Sequence, residues 1–144
     1  MRLNRLLASI GLAAFSCGCA IHDGVFTYNV SGRLISEDAT PLAARPTYVQ
    51  LVPFVPSDTQ FPRAVLTETN GHFSQDAMTK LAWGYRSFLG IPLGSRNPPA
   101  PPLEVIYLAV ERTPGSWIQM ELPLSAAQQP KPAAVNLGDV RIED

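Results

Sequence analysis

Few residues of this chain could do chemistry, and histidine is the scarcest of them. Only two are present, His22 and His72, and Asp76 follows His72 by four positions. Hydrolysis by a Ser-His-Asp catalytic triad needs a histidine that is held between a serine and a carboxylate. The sequence contains no nucleophile-elbow motif and no phosphate-binding loop. We therefore predict no catalytic residues, no metal site and no cofactor, with a small hydrolase that uses His72 and a nearby carboxylate as the alternative.

The two cysteines stand at the end of an N-terminal segment that has the features of an export signal. Arg2 and Arg5 precede an apolar stretch over residues 6–15, which ends at small residues. This order is typical of a secretory signal peptide. The stretch is shorter than the ~20 residues that a membrane-spanning helix needs, so we do not expect a permanent span.

A cysteine at the exit makes the segment resemble a bacterial lipoprotein signal, in which that cysteine is lipidated and becomes the new N-terminus. Cys19 follows Gly18, whereas Cys17 follows Ser16. We favour Cys19 as the lipidated residue, with Cys17 as the alternative, and an ordinary secreted protein stays open. Residues 1–18 would be the signal peptide, residues 19–24 a tether and residues 25–144 the domain. Since Ala20 rather than aspartate follows Cys19, we expect an outer-membrane lipoprotein that faces the periplasm or the cell surface.

Composition limits the partners of the exported domain. Cleavage after Gly18 leaves nine basic and twelve acidic side chains, a formal charge of −3, and the basic ones are scattered singly. Nucleic-acid binding needs a basic patch, so no nucleic-acid partner is predicted. One cysteine would remain, so the fold must be stable without an internal disulfide.

Apolar residues recur at every second position between proline- and glycine-rich breaks, which is the period of a β-strand. About seven short strands result, and they predict an all-β, antiparallel β-sandwich. Asn70 and Gly71 lie between two such runs and predict a type I′ hairpin turn. A single helical turn within residues 74–81 is an open alternative to strand there.

Five segments resemble the carboxypeptidase regulatory-like domain, and they occur in the order in which that family has them. The segments are residues 30–34, residues 41–43, residues 49–51, residues 67–73 with the Asn-Gly turn, and residues 135–142. The resemblance implies a transthyretin-type (prealbumin-like) sandwich and a non-catalytic accessory or structural role. Residues 80–102 depart from the family pattern, which leaves strand pairing there open.

Aromatic residues are the candidate ligand contacts. Trp83, Tyr85, Tyr107 and Trp117 could line a carbohydrate-binding face, although large aromatics more often fill a core or its rim. The exposed loop at residues 97–102 is a further contact surface. We expect an envelope module with a binding or structural role, whose partner is an envelope protein or a glycan.

The lipid anchor is testable by mass spectrometry of the protein from expressing cells. We expect an acylated N-terminal cysteine at position 19 in the wild type and in Cys17→Ser. Cys19→Ser should abolish both the acyl mass and the cleavage, because the modified thiol is lost. A wild-type protein with an unacylated N-terminus would contradict the prediction.

Overall fold

The computed structural model describes residues 17–55, 61, 63–88, 91–93 and 99–143, with only the backbone for residues 17–23, 82–88 and 91–93. The chain divides into two compact units. The larger comprises Phe26–Thr79 and Pro99–Asp144, and the smaller comprises Met1–Val25 and Lys80–Pro98.

The described elements are strands, apart from one 3₁₀ turn at Ala126–Gln128, so the all-β prediction is confirmed. The strands are β1 (Cys17–Ser36), β2 (Pro46–Gln50), β3 (Val65–Leu66), β4 (His72–Phe88), β5 (Ile91–Leu93), β6 (Val105–Thr113), β7 (Ser116–Pro123) and β8 (Ala134–Ile142). They form two sheets with the orders β5-β4-β1-β8 and β3-β2-β6-β7.

Seven of these eight strands contribute to the larger unit, in agreement with the predicted number. One sheet of that unit has the order β4-β1-β8, and the other has the order β3-β2-β6-β7. In the smaller unit β5 pairs with the distal part of β4, with Arg86 opposite Leu93.

The expectation of a wholly antiparallel arrangement is wrong at one pair, because β8 runs parallel to β1 with Val30 opposite Val135. The reason lies in the connection. Strand β7 lies in the other sheet, so β8 reaches β1 by a crossover and not by a hairpin. A crossover permits parallel pairing, whereas a tight turn does not.

Two segments are more extended than their sequence suggests. The helical turn considered for residues 74–81 does not form, since β4 is continuous from His72 to Phe88. Phe73 and Ala77 are buried in the core, and Gln75 between them accepts from the Val49 N–H, so every second residue faces inward as in a strand. Residues 19–24, the expected tether, lie within β1.

The core of the larger unit is a single apolar cluster to which both sheets contribute. Its largest fully buried side chains include Tyr28, Phe73, Leu34, Ile106 and Leu108. Along β8 the inward residues alternate with outward ones apart from a shift at Gly138, as the period-two pattern predicted. The apolar run that predicted β6 corresponds to a strand in which Leu108, Ala109 and Val110 are all buried. Burial of each large apolar side chain in this core contributes about 1.5–3 kcal/mol to the free energy of unfolding.

Tyr28 also fixes a proline-rich segment to the core. Its hydroxyl donates a hydrogen bond of 2.7 Å to the carbonyl of Pro101. Burial raises the pKa of Tyr28, so this hydroxyl stays a donor in neutral solution.

The Asn70-Gly71 turn occurs where predicted but differs in type. Gly71 donates to the Glu68 carbonyl at 2.9 Å, so the central residues are Thr69 and Asn70. Gly71 has φ +79°, whereas Asn70 is not among the described residues with positive φ. A type I′ turn needs positive φ at both central positions, so this is a three-residue loop closed by a left-handed glycine.

The turn does not connect two strands that pair with each other, as the turn of a hairpin does. Strand β3 before it pairs with β2, and strand β4 after it lies in the other sheet. The turn therefore carries the chain between the two sheets. Gly71 packs closely there: its carbonyl accepts from Leu34 at 2.9 Å, and an added Cβ would lie 2.4 Å from the Leu34 oxygen.

Gly71→Ala should lower the free energy of unfolding by about 2–4 kcal/mol, through backbone strain and a clash with β1. Gly115→Ala is the matched control, because Gly115 also has positive φ (+81°) but an added Cβ meets nothing within 4 Å. Gly115→Ala should lower the free energy of unfolding by about 1 kcal/mol, because it adds backbone strain without a clash. Equal losses in urea denaturation would contradict the packing role of Gly71.

Candidate functional site

The outer faces of the two sheets differ in chemistry, and this difference locates the candidate site. On the outer face of β4 and β1, the Asn29 amide donates to Ser74 at 3.2 Å and to Asp76 at 3.0 Å. Arg33 of β1 forms two hydrogen bonds, of 2.8 and 2.7 Å, with Asp139 of β8. The bonds from Arg33 lower the pKa of the Asp139 carboxyl. These polar side chains are exposed and paired with one another, and Met78 on the same face of β4 is an exposed apolar residue.

The outer face of the other sheet is aromatic. Tyr48 of β2, Tyr107 of β6 and Trp117 of β7 are all half-buried and occupy positions that alternate with core residues. In register, Tyr48 lies opposite Ala109, which lies opposite Gln119. We call this set, together with the two loop phenylalanines described next, the aromatic face.

The loop between β2 and β3 contributes Phe54 and Phe61 to this face. The ring of Phe61 lies 4.7 Å from Trp117, 5.3 Å from Tyr48 and 5.3 Å from Phe54, measured between centroids. Phe54 meets Tyr107 edge-on, at 6.3 Å and 82°. Edge-to-face and tilted pairs of this kind are favourable beyond the area that they bury.

Burial shows that the aromatic face is packed at its centre and open at its rim. Phe61 is 8% exposed, and Ala109 beneath the cluster is completely buried although neither belongs to the main core. Phe54, Tyr48, Tyr107 and Trp117 stay partly accessible. A rigid surface of partly accessible rings is suited to binding, because a ligand gains apolar contact without ordering the rings.

Among the side chains that the structure describes, none lies within hydrogen-bond distance of the His72 imidazole. The imidazole is 3.8 Å from the Glu68 carboxylate, beyond hydrogen-bond distance. Asp76 and Ser74 share the outer face of β4 with His72, but both accept from Asn29. Within the part of the chain that the structure describes, no group of three metal-ligating side chains lies together.

The other predicted site residues have mixed outcomes. Trp117 lies on the aromatic face, and Asn70 and Gly71 form the turn described above. Cys17, Cys19, Trp83 and Tyr85 lie in β1 and β4, with side chains outside the described residues.

Sequence patterns missed Tyr48, Phe54 and Phe61 as members of a site. Alternation places Tyr48 on the outer face of β2. The sequence of the loop between β2 and β3 does not show which face of the sheet the loop covers. Aromatic residues in a proline-rich loop do indicate that the loop packs against a sheet.

The expected contact loop is described from Pro99 onward. Residues 100–102 line a pocket of about 240 Å³ together with Gln129, Lys131 and neighbouring prolines. The Gln129 amide holds Leu103 at both backbone atoms, accepting from N at 2.7 Å and donating to O at 2.8 Å. The wall of this pocket is thus tied to β6, but it offers a single charged side chain.

Comparison with known proteins found no family model, no curated protein and no solved structure that matches the chain. Among the described residues, no helix has the length and hydropathy required to cross a membrane.

Replacing Phe61 tests whether the aromatic face is a packed unit. Phe61→Ala should lower the free energy of unfolding by about 3 kcal/mol, the cost of emptying a buried phenylalanine site. In a Trp83→Phe background it should also shift the emission of Trp117 to longer wavelength, because Phe61 shields that ring.

Phe54→Ala is the control, since Phe54 lies at the partly exposed rim; it should cost about 1 kcal/mol. A loss for Phe61→Ala no larger than that for Phe54→Ala would mean that the cluster is not packed in solution.

Proposed function

We propose that this protein is a lipid-anchored module of the bacterial cell envelope that binds an envelope component through its aromatic face, without catalysis. The observation that carries the proposal is the contrast between the two sheets. On one outer face Asn29, Arg33 and Asp139 are paired with neighbouring polar groups, and the other face leaves four aromatic rings partly open around a buried Phe61. Such rings with apolar bodies and polar tips are enriched at binding surfaces.

The anchor is supported by the N-terminal sequence. Two arginines, an apolar stretch too short to span a bilayer and a Gly18-Cys19 exit indicate lipidation at Cys19, with Cys17 as the alternative. A single domain joined to a lipid would stay at the envelope, and Ala20 favours the outer membrane.

We further propose that the fold is the transthyretin-type sandwich of the carboxypeptidase regulatory-like domain. Support comes from the two sheets with one core, from the turn at Asn70-Gly71 and from the closing strand β8, which spans Ala134–Ile142. The turn and β8 coincide with two of the five segments that carry the sequence resemblance. The family implies an accessory role, in keeping with the isolated position of His72.

Site-specific photo-crosslinking in the native envelope tests the binding face. A photoreactive residue at position 52, beside the aromatic face, should give crosslinked species in the envelope fraction. The matched control is position 78 on the outer face of β4, because Val52 and Met78 are both 57% exposed. We expect species that are specific to position 52 and are lost in Trp117→Ala.

Equal crosslinking from the two positions, or none from either, would contradict the proposal. If the protein hydrolyses an envelope component and His72→Ala loses that activity with an unchanged fold, the hydrolase alternative would be supported instead.

A further inference from the structure

We propose that one cross-strand row of the aromatic face, formed by Gln50, Tyr107 and Glu121, is a subsite for an uncharged saccharide. This inference rests on the proposed function and names the class of ligand that the face takes. The three residues belong to β2, β6 and β7, and Tyr107 lies directly opposite each of the other two.

Strand geometry places the three side chains side by side. All three stand at positions that alternate with core residues, so they project from the outer face. Neighbouring strands are about 4.8 Å apart, so the row is about 10 Å wide. Gln50 and Tyr107 are half-buried and Glu121 is exposed, which leaves the row open to a ligand.

The chemistry of the row is an aromatic ring between two hydrogen-bonding groups. Gln50 offers an amide donor and acceptor, and Glu121 offers a carboxylate that accepts only. Neither side chain has a hydrogen-bond partner among the described residues, whereas the polar side chains Asn29, Arg33 and Asp139 on the opposite sheet are paired. A sugar ring has an apolar C–H face that stacks on a phenol and hydroxyls at its edge that reach such groups.

Phe54 gives the subsite a wall. Its ring centroid lies 6.3 Å from that of Tyr107 and the two planes are at 82°, so Phe54 does not lie flat over the phenol. A ligand that stacks on Tyr107 would therefore contact Phe54 at one side, which favours a flat ring over an extended acyl chain.

Charge selects among the ligands. The carboxylate of Glu121 on the row repels anionic sugars and the anionic lipids of a bilayer surface. Glu111, which also lies on this face opposite Trp117, adds to the repulsion. The row therefore favours an uncharged saccharide over an acidic glycan or a membrane.

Titration of the full-length protein, as recovered from expressing cells, with cellohexaose, chitohexaose and mannohexaose tests the inference. Calorimetry should detect binding of at least one of them. Tyr107→Ala should weaken that binding at least about tenfold, the effect of removing an anchor residue. Tyr107→Phe keeps the ring and should stay within about twofold of wild type.

Two further variants keep the test valid if Tyr107→Ala fails to fold. Glu121→Gln and Gln50→Ala each change one polar group at an exposed or half-exposed position, and each should weaken binding several-fold. Glu104→Gln is the matched control, because Glu104 is exposed and lies outside the row; its affinity should be unchanged.

Absence of binding to all three hexaoses, or equal affinity in every variant, would overturn the inference. Binding to anionic liposomes in place of the sugars would overturn it in favour of a membrane contact. If crosslinks from position 52 persist in either case, the binding face stands and only the saccharide assignment fails; if they are also absent, both fail.

Discussion

Burial of alternate residues from two sheets in one apolar cluster is the constraint on which the larger unit depends. Strands β1, β4 and β8 contribute from one sheet, and β2 and β6 contribute from the other. Cleavage at the predicted site would leave a single cysteine, so no internal disulfide could replace this cohesion. Because each inward position is filled, a shift of one residue in any strand would expose its apolar side chains.

Short strands leave backbone groups without ladder partners, and side chains satisfy them. Strand β3 pairs with β2 only at Pro46 and Thr47, so the Val49 N–H lies beyond its end. The Gln75 side chain of β4 accepts from that N–H at 2.8 Å and donates to the Arg63 carbonyl at 3.1 Å. Buried Thr67 similarly donates to the Leu42 carbonyl and accepts from the Arg45 N–H. Such bonds join the sheets where an unsatisfied buried group would be costly.

The aromatic face depends on the core but adds a second layer of packing. The sheet presents Tyr48, Tyr107 and Trp117 outward, and the loop after β2 places Phe61 among them. This loop therefore turns an exposed sheet face into a packed centre with an accessible rim. The outer face of the other sheet has no comparable cover among the described residues, so the two sides of the larger unit differ in chemistry.

The sequence by itself determined the all-β class, the approximate positions of most strands of the larger unit and the turn at Asn70-Gly71, because these follow from local alternation and from the freedom of glycine. It did not show that β1 begins at Cys17 or that β4 is continuous from His72 to Phe88. It also placed Trp117 among the candidate contacts. Strand partners could not be predicted in this way: the parallel pairing of β8 with β1 and the passage of the turn between sheets depend on contacts between distant residues. The same reason hid Phe61, since only the tertiary structure decided which face its loop covers. Local patterns show which side of a strand is apolar, whereas tertiary packing decides which strands or loops contact that side.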